Sequence, residues 1–415
     1  VEAAQVKKKI MDIGNSLRSD DLFVLLDSAH IQSAAGRNKY KWICGLEGES
    51  IESSWKEMRH ISASRMGDWS IFLLPYDCIY EMQEHDSAPQ SWVPFTKPVH
   101  YFPEVVLAET WEGEMRYWPD EEKAMDCVNS YPLEKRIIKA TDLSVQFNTS
   151  EADYKLMVEQ IKRDIVAGAY YEANYTIEGR VEGIFNHPFK KFESLSSISP
   201  APFSAFFQNP DRFLISSSPE RFLGKYGTKL FTQPIKGTAP RFSDTDMVGF
   251  DYLVNSEKER AEHVMIVDLV RNDLTKVCEP GTIKVPELMK IYAYTHIFQM
   301  VSTVEGQVSE SADFLDLMNA CFPMGSMTGA PKLEVIKTMN AYEDQSRGLY
   351  SGTIGYIDPD GDLDSSVIIR SLIGDKQQKR MAINVGGAIT YDSDPDKEYE
   401  ECMLKAQKMI EVLSK

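Results

Sequence analysis

The 415-residue sequence has no long apolar run, no closely paired cysteines and no excess of positive charge. Each absence removes a class of function. The longest strongly apolar stretch, "VMIVDLV" at 264–270, carries an aspartate and is far shorter than the ~20 residues of a membrane-spanning helix. The opening "VEAAQVKKKIMDIG" lacks the apolar segment of a signal peptide. A soluble, cytoplasmic chain without membrane contact is therefore expected. Cys44, Cys78, Cys127, Cys278, Cys321 and Cys402 stand singly, which fits neither zinc ligation nor a secreted disulfide scaffold and predicts reduced thiols. With 63 acidic against 45 basic residues the formal net charge is -18, which argues against nucleic acid or anionic lipid as a partner. An anionic substrate would need a local basic or metal-bearing site. Fixed-period repeats and low-complexity segments are also missing, and 43% hydrophobic content is ample for a large folded core.

What is present is a succession of strand-like runs. Residues 1–145 mix "LFVLLDSA", "KWICGLEG" and "WSIFLLPYD" with proline-containing connections. A boundary falls near 146–150, where "NTSEADYKLMVEQIKRDIVAG" predicts a helix capped by Ser150, with Met157, Ile161 and Ile165 as its apolar stripe and Gly168 as its stop. Residues 146–415 add "RFLISSS", "KLFTQPIKG", "LYSGTIGYID", "SSVIIRSLIG" and "KRMAINVGGAITY", with helices near 256–272, 330–342 and 394–414. Strands follow strands more often than they alternate with helices, so an α+β fold with long antiparallel sheets flanked by helices is expected.

Several constellations could carry chemistry. In "NSEKERAEHVMIVDLVRND", Ser256 and Glu259 have capping-box spacing, while Glu262 lies beside the packed face marked by Met265 and Ile266. In "SDPDKEYEECMLKAQKMIEVLSK", Glu398, Glu401 and Lys405 form a stripe beside the apolar face. That stripe reads as a solvated face with a Glu401–Lys405 pair, or as half of a hard-cation site in which two E-x-x-E pairs supply oxygen ligands. "GSMTGAPKLEVIK" offers free backbone N–H groups at a helix start but is no Walker A loop, and Gly386 and Gly387 allow close backbone approach. If "ERFLGKYGTKLFTQPIKG" is a hairpin, Glu220 and Lys236 sit on neighbouring strands, as an ion pair or as an acid beside a nucleophile.

The ordered motifs "PIKGTAPR", "AEHVMIVDLVRND", "GSMTGAPK", "YSGTIGY" and "GGAITYDSDPDKEYEE" resemble the chorismate-utilising enzymes, in particular their aminodeoxychorismate synthase component I branch. The resemblance implies two large antiparallel sheets packed together with helices outside, chorismate as substrate and Mg2+ in the cleft. It assigns Glu262 and Glu401, with Glu259 and Glu398 beside them, to the metal, and Glu220 to a general acid. Ser326, Tyr350, Arg370, Gly387 and Lys405 match substrate-binding positions, with Gly237 and Thr238 lining the site. Lys236 matches a nucleophile that attacks C2 of chorismate, where the anthranilate synthase branch has alanine, and it must then be neutral while Glu220 is protonated. Burial and the cation are expected to lower its pKa. Two positions depart from the pattern. Glu172, on the ammonia side, stands where ammonia-using relatives have glutamine, and Gln299 stands where many have histidine. Residues 1–145 are expected to form the N-terminal part of the same fold, with "LLDS" at 25–28 where relatives line a tryptophan pocket. Without a glutaminase signature in the chain, ammonia is expected from a separate glutamine amidotransferase subunit. Anthranilate synthase component I and a non-catalytic chorismate- or tryptophan-binding relative are the alternatives, the second weakened by the acid, nucleophile and metal-site carboxylates occurring together.

Overall fold

Runs of β-branched and aromatic residues, cut by glycine, proline and aspartate, favour strands. In the computed structural model, which describes residues 2–82, 89–134, 143–183, 185–243, 245–294 and 297–414, they form two antiparallel sheets of eleven and ten strands with helices packed around them. This is the expected α+β architecture. Strands from before residue 146 enter both sheets: Val105–Thr110 lies in the larger and Ser70–Leu74 in the smaller. Alternation along each strand divides its side chains between two cores. In Phe23–Asp27, Val24 joins a core to which both sheets contribute, while Phe23 and Leu25 join the core under the helices.

Helix Glu151–Val166 starts on Ser150, whose side chain accepts the Asp153 N–H, and stops at Gly168 with φ of +83°. Tyr154, Val158 and Ile161 are its buried residues, with Met157 and Ile165 packed at the margin. The six cysteines are free thiols, five of them buried. No described helix is long and apolar enough to cross a membrane.

The hairpin of Arg221–Tyr226 and Lys229–Thr232 forms as expected, with Tyr226 opposite Lys229. It does not carry Lys236 alongside Glu220 as a ladder neighbour. Pro234 has no N–H to donate, so pairing breaks there. The chain resumes as strand Ile235–Pro240 against Ile297–Gln307, the same strand that Lys229–Thr232 pairs with. Glu220 instead occupies a crossing. The chain passes from the larger sheet to the smaller between Arg212–Ser218 and Arg221–Tyr226, and back between Leu363–Val367 and Ser371–Asp375. The two crossings lie side by side. Val367 N–H donates to Glu220 O at 3.1 Å and Ser217 N–H donates to Arg370 O at 3.2 Å. An acid and a base are thereby delivered together at the seam between the sheets.

Candidate active site

A lysine tip normally reaches water. Lys236 instead exposes 13% of its side chain, and its Nζ donates at 2.6 Å to Oε1 of Glu172, itself 8% exposed. The partners come from different sheets: Glu172 opens strand Glu172–Glu182 of the larger, and Lys236 lies in Ile235–Pro240 of the smaller. Ile235 is opposite Val301 but Thr238 is opposite Gln299, so one extra residue makes a bulge at Lys236–Gly237. Gly237 takes φ of +88° there, and a Cβ on it would come within 3.2 Å of Glu259 Oε2. Burial lowers the Lys236 pKa, but the charge and hydrogen bond of Glu172, with Glu262 and Glu220 nearby, raise it above the ordinary lysine value. Burial thus acts in the direction expected from the sequence, and an opposing carboxylate outweighs it. That carboxylate is the one on Glu172, which a glutamine would not supply.

Glu220 is buried, and desolvation pushes its carboxyl up to about 7 against the opposing influence of Ser326, Lys236 and Arg370. Its backbone N–H is held by Ser218 Oγ at 3.3 Å. Ser326 Oγ is buried without a hydrogen bond of regular geometry. Arg370 sits at φ of +49°, its pKa lowered by burial against the pull of Glu220, and its guanidinium has no hydrogen-bond or ion-pair partner among the described residues. An unpaired, half-buried guanidinium beside a protonatable carboxyl and a serine hydroxyl suits a carboxylate-bearing guest.

Two helices bring acid to the cleft. On Glu257–Thr275, the Ser256 side chain accepts the Glu259 N–H, but the reciprocal half of the expected capping box is not made; Glu259 Oε1 accepts from Tyr252 Oη at 3.4 Å, and its Oε2 lies beside Gly237. Burial, opposed by Lys236, pushes Glu262 up to about 7, with Glu172 and Glu259 adding to the rise. On Pro395–Leu413, burial and Glu401 raise the Glu398 carboxyl, whose Oε1 accepts from Ser393 Oγ at 2.7 Å. Glu401 is held below its ordinary range despite some desolvation, because Lys405 Nζ lies 2.9 Å away. The Glu401–Lys405 pair expected of a solvated stripe therefore forms, yet Lys405 also donates to Gly386 O at 3.0 Å. A Cβ on Gly387 would lie 3.4 Å from Glu398 Oε2 and 3.9 Å from Lys405 Nζ. Lys258 is within electrostatic reach of Glu262, Glu398 and Glu401, so the helices share one field. Glu262 and Glu398, raised chiefly by burial with neighbouring carboxylates adding to the rise, are oxygen donors of the kind a hard cation takes. Their oxygens do not form a closed ligand cluster. Among the described residues the carboxylates that do, within 4.8 Å of one another, are Asp358, Asp360 and Asp362, an arrangement that could hold a metal ion. Lys39 Nζ already lies 2.6, 3.5 and 2.7 Å from those three carboxylates.

The remaining expected residues fall at different depths. Tyr350 is buried beside Arg347. Thr238 is exposed, opposite Gln299, which is buried and makes no side-chain hydrogen bond among the described residues. Leu26, Asp27 and Ser28 line a cavity of about 50 Å³, together with Trp42, Phe203 and Tyr356. Two residues that sequence reasoning missed tie the site together. Arg347 grips Glu343 with two hydrogen bonds of 2.8 and 2.6 Å, and donates to Met327 O and to Asn174 O, joining the "GSMTGAPK" loop to the strand of Glu172. Glu343 and Arg347 both lie beyond the helix that ends at Tyr342, so no helical spacing pointed to their pairing. His263 holds the Lys236 backbone, and nothing in its spacing distinguishes it from a core histidine.

A family model described as chorismate binding enzyme matches residues 20–411. The chain is 40% identical over 275 residues to "Aminodeoxychorismate synthase" of Streptomyces pristinaespiralis, covering 65% of this chain and 38% of that protein. It is 36% identical over 266 residues to "Aminodeoxychorismate synthase component 1" of Bacillus subtilis, covering 64% and 56%, and 32% identical to an "Anthranilate synthase component I-like protein" of Synechocystis, covering 84% and 73%. Thus the chain spans about two fifths to three fifths of the length of the first two of these relatives. Among solved structures, anthranilate synthase component I of Streptococcus pneumoniae superposes with a TM-score of 0.74 at 23% identity, covering 94% of this chain and 92% of that one. The menaquinone-specific isochorismate synthase MenF of Escherichia coli does so with 0.76 at 14% identity, covering 98% and 91%. Those two likenesses concern the fold.

Proposed function

The chain belongs to the chorismate-binding enzyme family, and from that membership we propose that it aminates chorismate at C4 to give 4-amino-4-deoxychorismate. The observation that carries the reading is Lys236, buried in the cleft within reach of the Glu220 carboxyl, in the turn where the anthranilate branch has alanine. Glu220, with its pKa near 7, holds a proton for a leaving hydroxyl. Neutral Lys236 Nζ bonds to C2, the ring double bonds shift, and the C4–O bond breaks, the hydroxyl leaving as water with the Glu220 proton. Ammonia then bonds to C4 as the C2–Nζ bond breaks, and the new C4 ammonium returns a proton to Glu220. Arg370, whose guanidinium has no partner among the described residues, and the Ser326 hydroxyl beside Glu220 are the groups for the substrate carboxylates. Glu259, Glu262, Glu398 and Glu401 would hold magnesium, whose charge when bound offsets a substrate carboxylate. In this reading ammonia comes from a glutamine amidotransferase partner.

The reactive state, neutral Lys236 with protonated Glu220, is the minor form of a singly protonated couple whose major form has charged Lys236, paired with Glu172, and ionised Glu220. Its population is flat between the two pKa values, so the rate should rise with pH through about 7, level off, and fall where the lysine loses its proton. Glu172→Gln removes an influence that raises the lysine pKa. The plateau should therefore rise, tenfold for each unit by which that pKa falls, and the alkaline limb should move to lower pH. A plateau that drops with the limb unmoved would contradict the role of Glu172 as counter-ion.

The product decides the reading. Incubation with chorismate, magnesium and isotope-labelled ammonium should place the label on C4, and excess chelator should abolish the product. Label on C2, isochorismate, or unreacted chorismate would refute it.

A further inference from the structure

The bulge at Lys236–Gly237 shifts the ladder by one residue, and the Lys236 carbonyl is received by His263, whose Nδ1 lies 3.1 Å away. The carbonyl only accepts, so Nδ1 carries the hydrogen, and Nε2 of the neutral ring must accept in turn. Ser302 Oγ, 2.7 Å from Nε2, supplies that hydrogen, and itself accepts from Met289 N–H at 2.8 Å. Met289 has φ of +53° and stands at an irregularity of strand Lys284–Ala293, where the register shifts between Glu287 and Lys290. Every donor and acceptor in the relay is thus fixed, and the ring has no exposed surface. His263 also follows Glu262 in the helix that carries the acidic residues, so the relay bolts that helix to the bulge.

We infer that His263 is the positioning residue for Lys236: it does not touch the reacting atoms but fixes the backbone from which the amine projects. The inference rests on the proposed role of Lys236 for its effect on turnover, but its geometric content is separable. Buried aromatic packing alone would make any ring of this size adequate. A hydrogen-bond relay demands a donor at the Nδ1 position.

Asparagine and glutamine divide the two bonds. The Asn amide nitrogen falls near the place of Nδ1 and keeps the bond to Lys236 O; the Gln amide, turned with its oxygen near the place of Nε2, accepts from Ser302 Oγ and leaves Lys236 O without its donor. His263→Gln should lower kcat on the order of 10- to 100-fold with the chorismate KM nearly unchanged, the signature of a displaced reacting group. His263→Asn should recover most of that loss. The rate of reductive methylation of Lys236, read by peptide mass spectrometry on the folded variants, should change with Gln and return toward the parent with Asn. This readout needs no turnover. If Lys236→Ala keeps the parent rate, the nucleophile reading falls, while the methylation comparison still decides the positioning role. Equal methylation of Lys236 in the Asn and Gln variants, or a Gln variant as active as the Asn variant, would overturn the inference.

Discussion

Lys236→Ala is expected to bind chorismate, to fold, and to lose 4-amino-4-deoxychorismate formation by more than about a hundredfold, or at least about 2.7 kcal/mol of transition-state stabilisation. The loss follows from removing the only group proposed to bond to C2. The variant leaves Glu172 buried without its cation. A carboxylate so stranded destabilises the fold until it takes up a proton. The Tm of Lys236→Ala should therefore fall, and adding Glu172→Gln should restore much of it. That cycle separates the electrostatic role of the pair from chemistry. Residual activity in Lys236→Ala should drift toward attack of ammonia at C2, because Glu220 and the acidic helices persist. If the alanine variant makes the C4 amine at the parent rate, the covalent role is wrong and Lys236 is a charge in the pocket.

Glu220→Gln is expected to cost about 10²- to 10⁴-fold in kcat, the ordinary contribution of a positioned proton donor. Glutamine preserves size and can still sit in the crossing, with Val367 N–H donating to the residue's backbone carbonyl. It cannot give up a proton. The rise of the rate through about pH 7 should disappear in this variant, since that limb belongs to the pair of which Glu220 is the lower-pKa member. A Glu220→Gln enzyme with the parent's limb and rate would place the proton donor elsewhere.

The strands, the helix over 151–166 and the hairpin turning at "GKYGTK" were legible because they depend on local chemistry: a cap, a stop, a glycine-rich turn. The two crossings were not. "SSSPER" and "VIIRS" show no local mark of a change of sheet, and only the paired strands reveal that Glu220 and Arg370 meet at the seam. Lys236 was legible as a residue that wanted company, but its ion-pair partner was not. Glu172 is 64 positions away and belongs to the other sheet, so neither hairpin nor helix spacing could connect them. Glu259 shows the opposite failure. Its spacing from Ser256 satisfied a local rule, and the structure keeps the backbone half of the cap while sending the carboxylate to the cleft. Local patterns overreach where a side chain has a tertiary use, and Glu259 Oε1 accepts from Tyr252 rather than closing the box.

The most direct test of the account is chemical quench of the enzyme during turnover of ring-labelled chorismate with magnesium, with ammonia first withheld and then supplied. Label should be bound to the 234–241 peptide through Lys236 Nζ, in the mass of chorismate less one water, accumulating without ammonia and discharging to the C4 amine when ammonia is added. Full turnover with that peptide unlabelled at every quench time would contradict it.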